Sequence, residues 1–456
     1  MARQERTAMR STRGVNGRET GRRTRRVLGV GLLGASLLAM AACSGANTAT
    51  SGSSLGSAAH PVTIRFSWWG NTARAKITNE AVKAFEAANP NIKVTTDSVA
   101  FTSYFDRLAT SVAAHDAPDV ITMGGAYPSE YAAKGVLLDL KAVSKQLNLS
   151  VLDKTTLSNG AFQGKQYGVP TGVDTFGVIA NPAVFKAAGV ALPNDNTWTW
   201  ADFEKVATQI SANSPKGTFG AEDPTGSDML DLYARQQSGQ GLYTRDGKIA
   251  IQPKTVEDWW AMTSRMAGHG TPPASQTSAL EGQSAPEQSL MGQGHSAMKF
   301  GWSNLLPAFS TASGTGLIML RAPGETSSKG PGMWLQASQL YTINARSPHP
   351  EAAAELVNFL VSSPAAADII GADRGISANA TIRTHLAPKL DASEKIEYAY
   401  IDRISKVISG DFVIGPTGST QTPIILTRLN DAVLFGQLKP ADAATQFVTE
   451  IKAAIS

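Results

Sequence analysis

The residues of this chain that could do chemistry show no catalytic spacing. Six histidines (His60, His115, His269, His295, His349 and His385) never come within five residues of one another. There is no HExxH helix, no Cys/His cluster and no EF-hand loop, so no metal site is read. A GxSxG elbow, a Walker loop and a GxGxxG turn after a strand are also missing. Carboxylates are plentiful, but a glycosidase pair is defined by its separation in space, which a sequence hides. The expectation is therefore a protein with no catalytic residue, no metal and no cofactor.

Tryptophan is the side chain that stands out. The eight are Trp68, Trp69, Trp198, Trp200, Trp259, Trp260, Trp302 and Trp334. Most tryptophans are core residues. Trp68, Trp69 and Trp302, however, end predicted strands, where α/β sheets present their ligand crevices. Flat indoles pack well on the apolar faces of sugar rings at small rotamer cost. Sugar hydroxyls then need amide, carboxylate and guanidinium partners, because a buried unpaired hydroxyl is costly. Asn71, Arg74, Asp174 and Arg374 fall in loops or at helix starts and are candidates for that role; a helix cap or surface ion pair is an equal reading of each.

The elements that must position these groups alternate. Residues 62–68 alternate strictly, with Val62, Ile64, Phe66 and Trp68 on one face of a strand. Residues 73–88 have helical period, capped by Asn71 or Thr72 and stopped at Asn89-Pro90. A strand at 92–94, a helix at 103–114, a strand at 119–123 and a helix at 128–134 follow. Strands alternating with helices predict an α/β fold with a parallel or mixed sheet covered on both faces. Residues 167–172 are punctuated by Gly and Pro and read as a crossing between lobes. Beyond them come helices at 200–210 and 255–267, a polar loop at 271–287, a strand at 296–302 and an extended piece at 339–343. Helices at 350–360, 392–407, 422–434 and 442–455 complete the chain.

At 456 residues the chain is long enough for two or three domains. Its net charge of +4 is misleading. Residues 1–42 carry nine arginines against Glu5 and Glu19, which leaves the remainder at −3. A mildly acidic body has no general attraction for phosphate backbones, so nucleic-acid binding is disfavoured. The basic stretch runs into an apolar segment, Val27–Ala42, too short to cross a bilayer comfortably, and then reaches Cys43, the one cysteine of the chain. Residues 1–42 read as a signal peptide, with Arg25-Arg26 as a weak twin-arginine element. Residues 43–60, polar and uncharged, read as an anchor and flexible tether, with the mature body starting near Pro61.

Cys43 after two alanines resembles the lipobox of bacterial lipoproteins, which implies lipidation at Cys43; several acyl chains suffice for stable anchoring. The body in turn resembles the sugar- and oligosaccharide-binding solute-binding lipoproteins of ABC transporters, of actinobacterial type. The resemblance rests on FSWWGNTARAKITNEAVKAFEAANPNIKV (66–94), YFDRLATSVAAHDAPDV (104–120), YGVPTGVDTFGVIANPAVFKAAGV (167–190), TWTWADFEKVA (197–207), GHSAMKFGWS (294–303), SPHPEAAAELVNFL (347–360) and DRGISAN (373–379). One departure is Ala180-Asn181, where family members commonly have Tyr-Asn. The resemblance implies a periplasmic-binding-protein-like fold: two α/β lobes, a hinge and an inter-lobe cleft. On that basis lobe one is 61–171 plus 335–375, and lobe two is 172–334 plus 376–456. It places Trp68, Trp69, Asn71, Tyr104 and Tyr127 on one wall. Asp174, Trp302 and Trp334 fall on the other wall or near the hinge, and Arg374 near a crossing.

The function so implied is capture of a neutral saccharide by lobe closure and delivery to membrane permease subunits. The protein would be a monomer held by its lipid anchor on the outer face of the cell membrane. Binding of another solute such as a peptide is the first alternative. A surface-anchored carbohydrate-active enzyme and an adhesion lipoprotein without a small ligand stand behind it.

Overall fold

A computed structural model describes residues 55–125, 127–280, 285–408 and 412–455. The expected signal peptide, Cys43 and the tether as far as residue 54 lie outside the described residues. Leu55, read from the sequence as part of the tether, packs on the body, whereas residues 57–60 are exposed. The Leu55 carbonyl accepts a hydrogen bond from Asn91 Nδ2 at 2.8 Å, and its side chain lies against the first core.

The first sheet is built as its sequence periodicity suggests. β1 (Val62–Trp69) runs into α1 (Thr72–Ala88), whose N-cap is Asn71: its side chain accepts from Arg74 N. β2 (Ile92–Val99), α2 (Phe101–Ala113), β3 (Val120–Met123) and α3 (Tyr127–Ala133) repeat the pattern. β4 (Gly168–Pro170) leaves this sheet, and β5 (Val173–Ala180) begins the second.

α4 (Trp200–Asn213), α5 (Ser227–Ser238) and α6 (Pro253–Met266) follow. They precede β6 (Met298–Trp302), β7 (Ile318–Leu320) and β8 (Leu335–Ala337). β9 (Leu340–Ile343) then returns to the first sheet, ahead of α7 (Pro350–Ser362) and α8 (Pro364–Ile370). The chain finishes with α9 (Ala392–Ser405), α10 (Thr422–Leu434) and α11 (Pro440–Ala454). The stretch expected to be an open loop at 271–287 holds a short helix, Ala274–Leu280.

The first sheet has the order β2-β1-β3-β9-β4, parallel from β2 to β3 and antiparallel at β9. The second is antiparallel, with β5 between β6 on one side and β8 and β7 on the other. Each sheet has its own apolar packing. Ile64, Phe66 and Trp68 join α1 and α7 on one face of β1, while Trp69 joins α2 and α3 on the other. The second sheet packs Phe176, Trp198, Trp259 and Trp260 with α9, α10 and α11.

Between the sheets the backbone crosses at 171–172, at 338–339 and again after α8. The first two crossings bond to each other: Thr171 N donates to Gln339 O and Ser338 N to Gly172 O, both at 3.0 Å. The third joins by Ile376 N to Val173 O at 3.1 Å and Val173 N to Ile376 O at 2.6 Å. Gly172 lies inside this junction, where a Cβ would stand 1.9 Å from the Arg374 carbonyl oxygen. Backbone leaves no room for a methyl group, so Gly172→Ala should cost about 1–3 kcal/mol, the usual overpacking range. Thermal denaturation should show a clearly lowered Tm; an unchanged Tm would contradict the junction.

Candidate functional site

The sequence-selected residues divide into two kinds. Strand alternation puts Trp68 on the face of Phe66, 4.7 Å ring to ring, where it is 1% exposed. That is a correction to its reading as a stacking platform: no indole face is left for a ligand. Tyr104 is corrected likewise. Its ring is buried and its hydroxyl reaches the Ser67 and Thr122 carbonyls, both at 3.1 Å, tying α2 to β1 and β3. Burial pushes that phenol well above its usual range.

Trp69 lies at the end of β1 on the opposite face, 9% exposed, with its ring edge-on to Tyr104 and Phe101. Tyr127 opens α3 and stacks on Phe105 at 3.3 Å. Asn71 is occupied as the cap of α1.

Arg74 and Arg374 meet at one carboxylate. Arg74 Nε bonds Asp373 Oδ2 at 3.0 Å and its Nη2 the Asp373 carbonyl at 2.8 Å, while Arg374 pairs with the same side chain. Arg374 Nη2 also donates to Thr78 Oγ1 at 2.7 Å. Burial lowers both guanidinium pKa values to about 10; for Arg374 the neighbouring Arg74 charge lowers it further. Two cations on one carboxylate leave a surplus positive charge, and Asp174 on β5 is close enough to Arg74 to favour its charged form. Asp174 itself is 2% exposed and its Oδ1 has no hydrogen-bond partner. Desolvation holds its carboxyl well above the usual range, and the neighbouring Asp228 adds to that.

Asp228 is the residue that the sequence reading missed. It sits in the first turn of α5, a helix whose N-cap, Gly226, provides no capping side chain to announce it. Trp302, at the end of β6, lies beside Asp228. Its half-buried ring stands edge-on to Phe176 at 5.0 Å and to Trp334 at 6.0 Å. Trp334 is buried, with the Arg235 guanidinium 4.6 Å from its ring centroid and its Nε1 bonded to Gln336. β5, β6 and α5 thus bring together indole surface, two carboxylates and, from the first sheet, a guanidinium. On the α3 side the two sheets' elements also touch: Ser129 Oγ donates to Gly415 O and Thr420 Oγ1 to Glu130 Oε2. Among the described residues no group of three His, Cys, Asp or Glu is placed to hold a metal ion.

This arrangement offers an aromatic ring and hydrogen-bonding groups side by side. It also carries a cost. Burial, with Asp231 close by, raises the Asp228 pKa to about 6, and the neighbouring Trp302 only partly opposes this. A carboxyl whose folded pKa is raised stabilises the fold below its unfolded value near 4 and loses that contribution as pH rises through 6. Asp228→Asn should therefore raise Tm at pH 8, by roughly 1 °C for about 1 kcal/mol in a body of this size. The gain should shrink toward pH 4 in a melting series; an equal gain at both pH values would contradict the assignment.

Comparisons with known proteins fit this geometry. Residues 69–367 match the family described as bacterial extracellular solute-binding protein. That span is well over half of the chain, and the chain belongs to that family. A family 1 extracellular solute-binding protein from Alicyclobacillus acidocaldarius is 28% identical at a TM-score of 0.63, covering 87% of this chain and 98% of that one. A periplasmic oligogalacturonide-binding protein from Yersinia enterocolitica, solved with saturated digalacturonic acid, shares the fold at a TM-score of 0.76 and 22% identity, over 86% of this chain and 100% of that one. An ABC substrate-binding protein from Listeria monocytogenes in complex with cycloalternan does so at 0.73 and 24%, over 86% and 98%. An uncharacterized lipoprotein from Streptomyces antibioticus is 27% identical over 210 residues, 44% of this chain and 46% of that protein. The chain thus spans less than half the length of the curated relatives it matches.

Proposed function

We propose that this member of the extracellular solute-binding family captures a saccharide, and specifically an oligosaccharide, and delivers it to the permease of an ABC transporter. The two sheets with their helices act as the lobes, 61–171 plus 335–375 and 172–334 plus 376–456. The crossings around Gly172 serve as the hinge. Cys43 carries the lipid that holds a monomer on the outer face of the membrane. No bond is made or broken in the ligand: binding and closure are the whole of the work, driven by the higher affinity of the closed form.

One observation carries the reading. Trp302 offers a half-buried indole beside Asp228, and Asp174 nearby has a buried oxygen without a partner. Asp174 and Arg74 approach each other from the two sides of the hinge. An aromatic face flanked by unsaturated hydrogen-bonding groups matches the two surfaces of a sugar ring. The digalacturonic acid and cycloalternan held by the Yersinia and Listeria proteins support the same ligand class.

A thermal-shift screen against mono- and oligosaccharides tests it, since a ligand of the native state must raise Tm. Trp302→Ala should then weaken binding of a hit by ~2 kcal/mol, some 30-fold, while the unliganded protein keeps most of its stability. Trp302 is preferable to Trp69 for this purpose, because Trp69 is largely buried and its loss would also cut into a core. No stabilisation by any saccharide, or full affinity in Trp302→Ala, would overturn the reading.

A further inference from the structure

Charge around the hinge is out of balance, and the excess lies on one side. Asp174 on β5, Asp228 in the first turn of α5 and Glu397 on α9 all belong to the second sheet and its helices. α1 and the third crossing bring Arg74 and Arg374, and Asp373 holds both of these. Four carboxyls therefore stand against two guanidiniums. Arg235, further along α5, is already paired with Asp231 at 2.5 Å. Among the described residues, Arg74 is the cation that acts on Asp174, which places the cluster where elements of the two sheets face each other. The charged neighbours of Asp228 and Glu397 are carboxylates: Asp231 for the first, Asp174 and Glu394 for the second.

Hydrogen bonding leaves the same gap. Asp174 is 2% exposed and Glu397 fully buried. Yet Asp174 Oδ1 and both Glu397 oxygens have no hydrogen-bond partner among the described residues. A buried acid without a donor costs free energy that a ligand can recover. The half-buried Trp302 indole lies beside Asp228. A carboxylate next to an indole repels an anion and suits an ammonium group, which donates to the one and is attracted by the ring of the other. A hydroxyl supplies the missing hydrogen bond but not the missing charge.

We propose that the solute carries a protonated amine, received by Asp174 and Asp228 together with the Trp302 ring. Resting on the saccharide reading above, this narrows the ligand to an amino sugar. Arg74 and Arg374, both taken up by Asp373, stay with the fold.

Isothermal titration of the whole protein near pH 7 tests this with matched sets that differ in one substituent. These are glucose, glucosamine and N-acetylglucosamine, the galactose counterparts, and β-1,4-linked oligomers of the glucose set. In a set that binds, the amine should be at least roughly tenfold tighter than its hydroxyl and N-acetyl partners. Asp228→Asn removes a charge from a place where charge costs stability, so the variant folds; it should cut that preference to about threefold or less. Asp174→Asn checks the second carboxyl. Amines bound no tighter than hydroxyl sugars, or a preference that survives in both variants, overturns the ammonium site and leaves the saccharide reading in place. Putrescine and choline are amines without a sugar ring; binding of these and of no sugar keeps the ammonium site and overturns the saccharide reading. Binding of none of these compounds overturns both.

Discussion

Three stretches of backbone pass between the two sheets within one small patch, and they fit because position 172 has no side chain. The Arg374 carbonyl occupies the space that a Cβ there would need. Main-chain bonds among Thr171, Gln339, Ser338, Gly172, Val173 and Ile376 hold the crossings side by side. Several groups of the proposed site are positioned from this patch. β5 leaves it carrying Asp174, β8 enters it just after Trp334, and the third crossing carries Asp373 and Arg374. A junction fixed by backbone bonds keeps the register of both sheets while still permitting small rotations of one about the other, as hinged domains require.

Charge is distributed around the same junction in an uneven way. Arg74 on α1 and Arg374 on the crossing share the Asp373 carboxylate, so the first lobe brings net positive charge to the hinge. The second brings Asp174 and Asp228, with Glu397 of α9 buried behind them and neither of its carboxylate oxygens bonded. Burial raises all three carboxyls, and a neighbouring carboxylate adds to each: Asp228 at Asp174, Asp231 at Asp228, and Asp174 at Glu397. Groups held this way cost folding free energy, as functional sites commonly do. A bound ligand with hydrogen-bond donors would satisfy the Asp174 oxygen that has no partner.

Much of the first lobe was legible in the sequence. The alternation of Val62, Ile64, Phe66 and Trp68 gave β1, and Asn71 before a 3.6-residue period gave α1 with its cap. The same alternation already required Trp68 and Trp69 to point to opposite faces, so both could not serve as platforms on one wall. α5 was not legible, because a glycine N-cap gives no start signal, and with it Asp228 went unseen. Its partner Trp302 comes from a distant strand, so only the fold could join them. The short helix Ala274–Leu280 lies in a polar stretch beyond Pro272-Pro273, where local preference for a helix is weak and tertiary packing decides. The union of Arg74 with Asp373 and Arg374 is likewise a product of the third crossing, which no local pattern records.

The central claim is that a saccharide is held between two lobes that pivot on the Gly172 junction. Hydrogen–deuterium exchange with and without a stabilising saccharide addresses it most directly. Added ligand should slow exchange at residues 124–131 and 412–421, where the lobes meet, and at 226–230 and 300–304 beside the indole. The amides of 171–176 and 338–343 should be slow in both states. Protection confined to one sheet, or a junction that exchanges freely without ligand, would contradict a pivoting clamp.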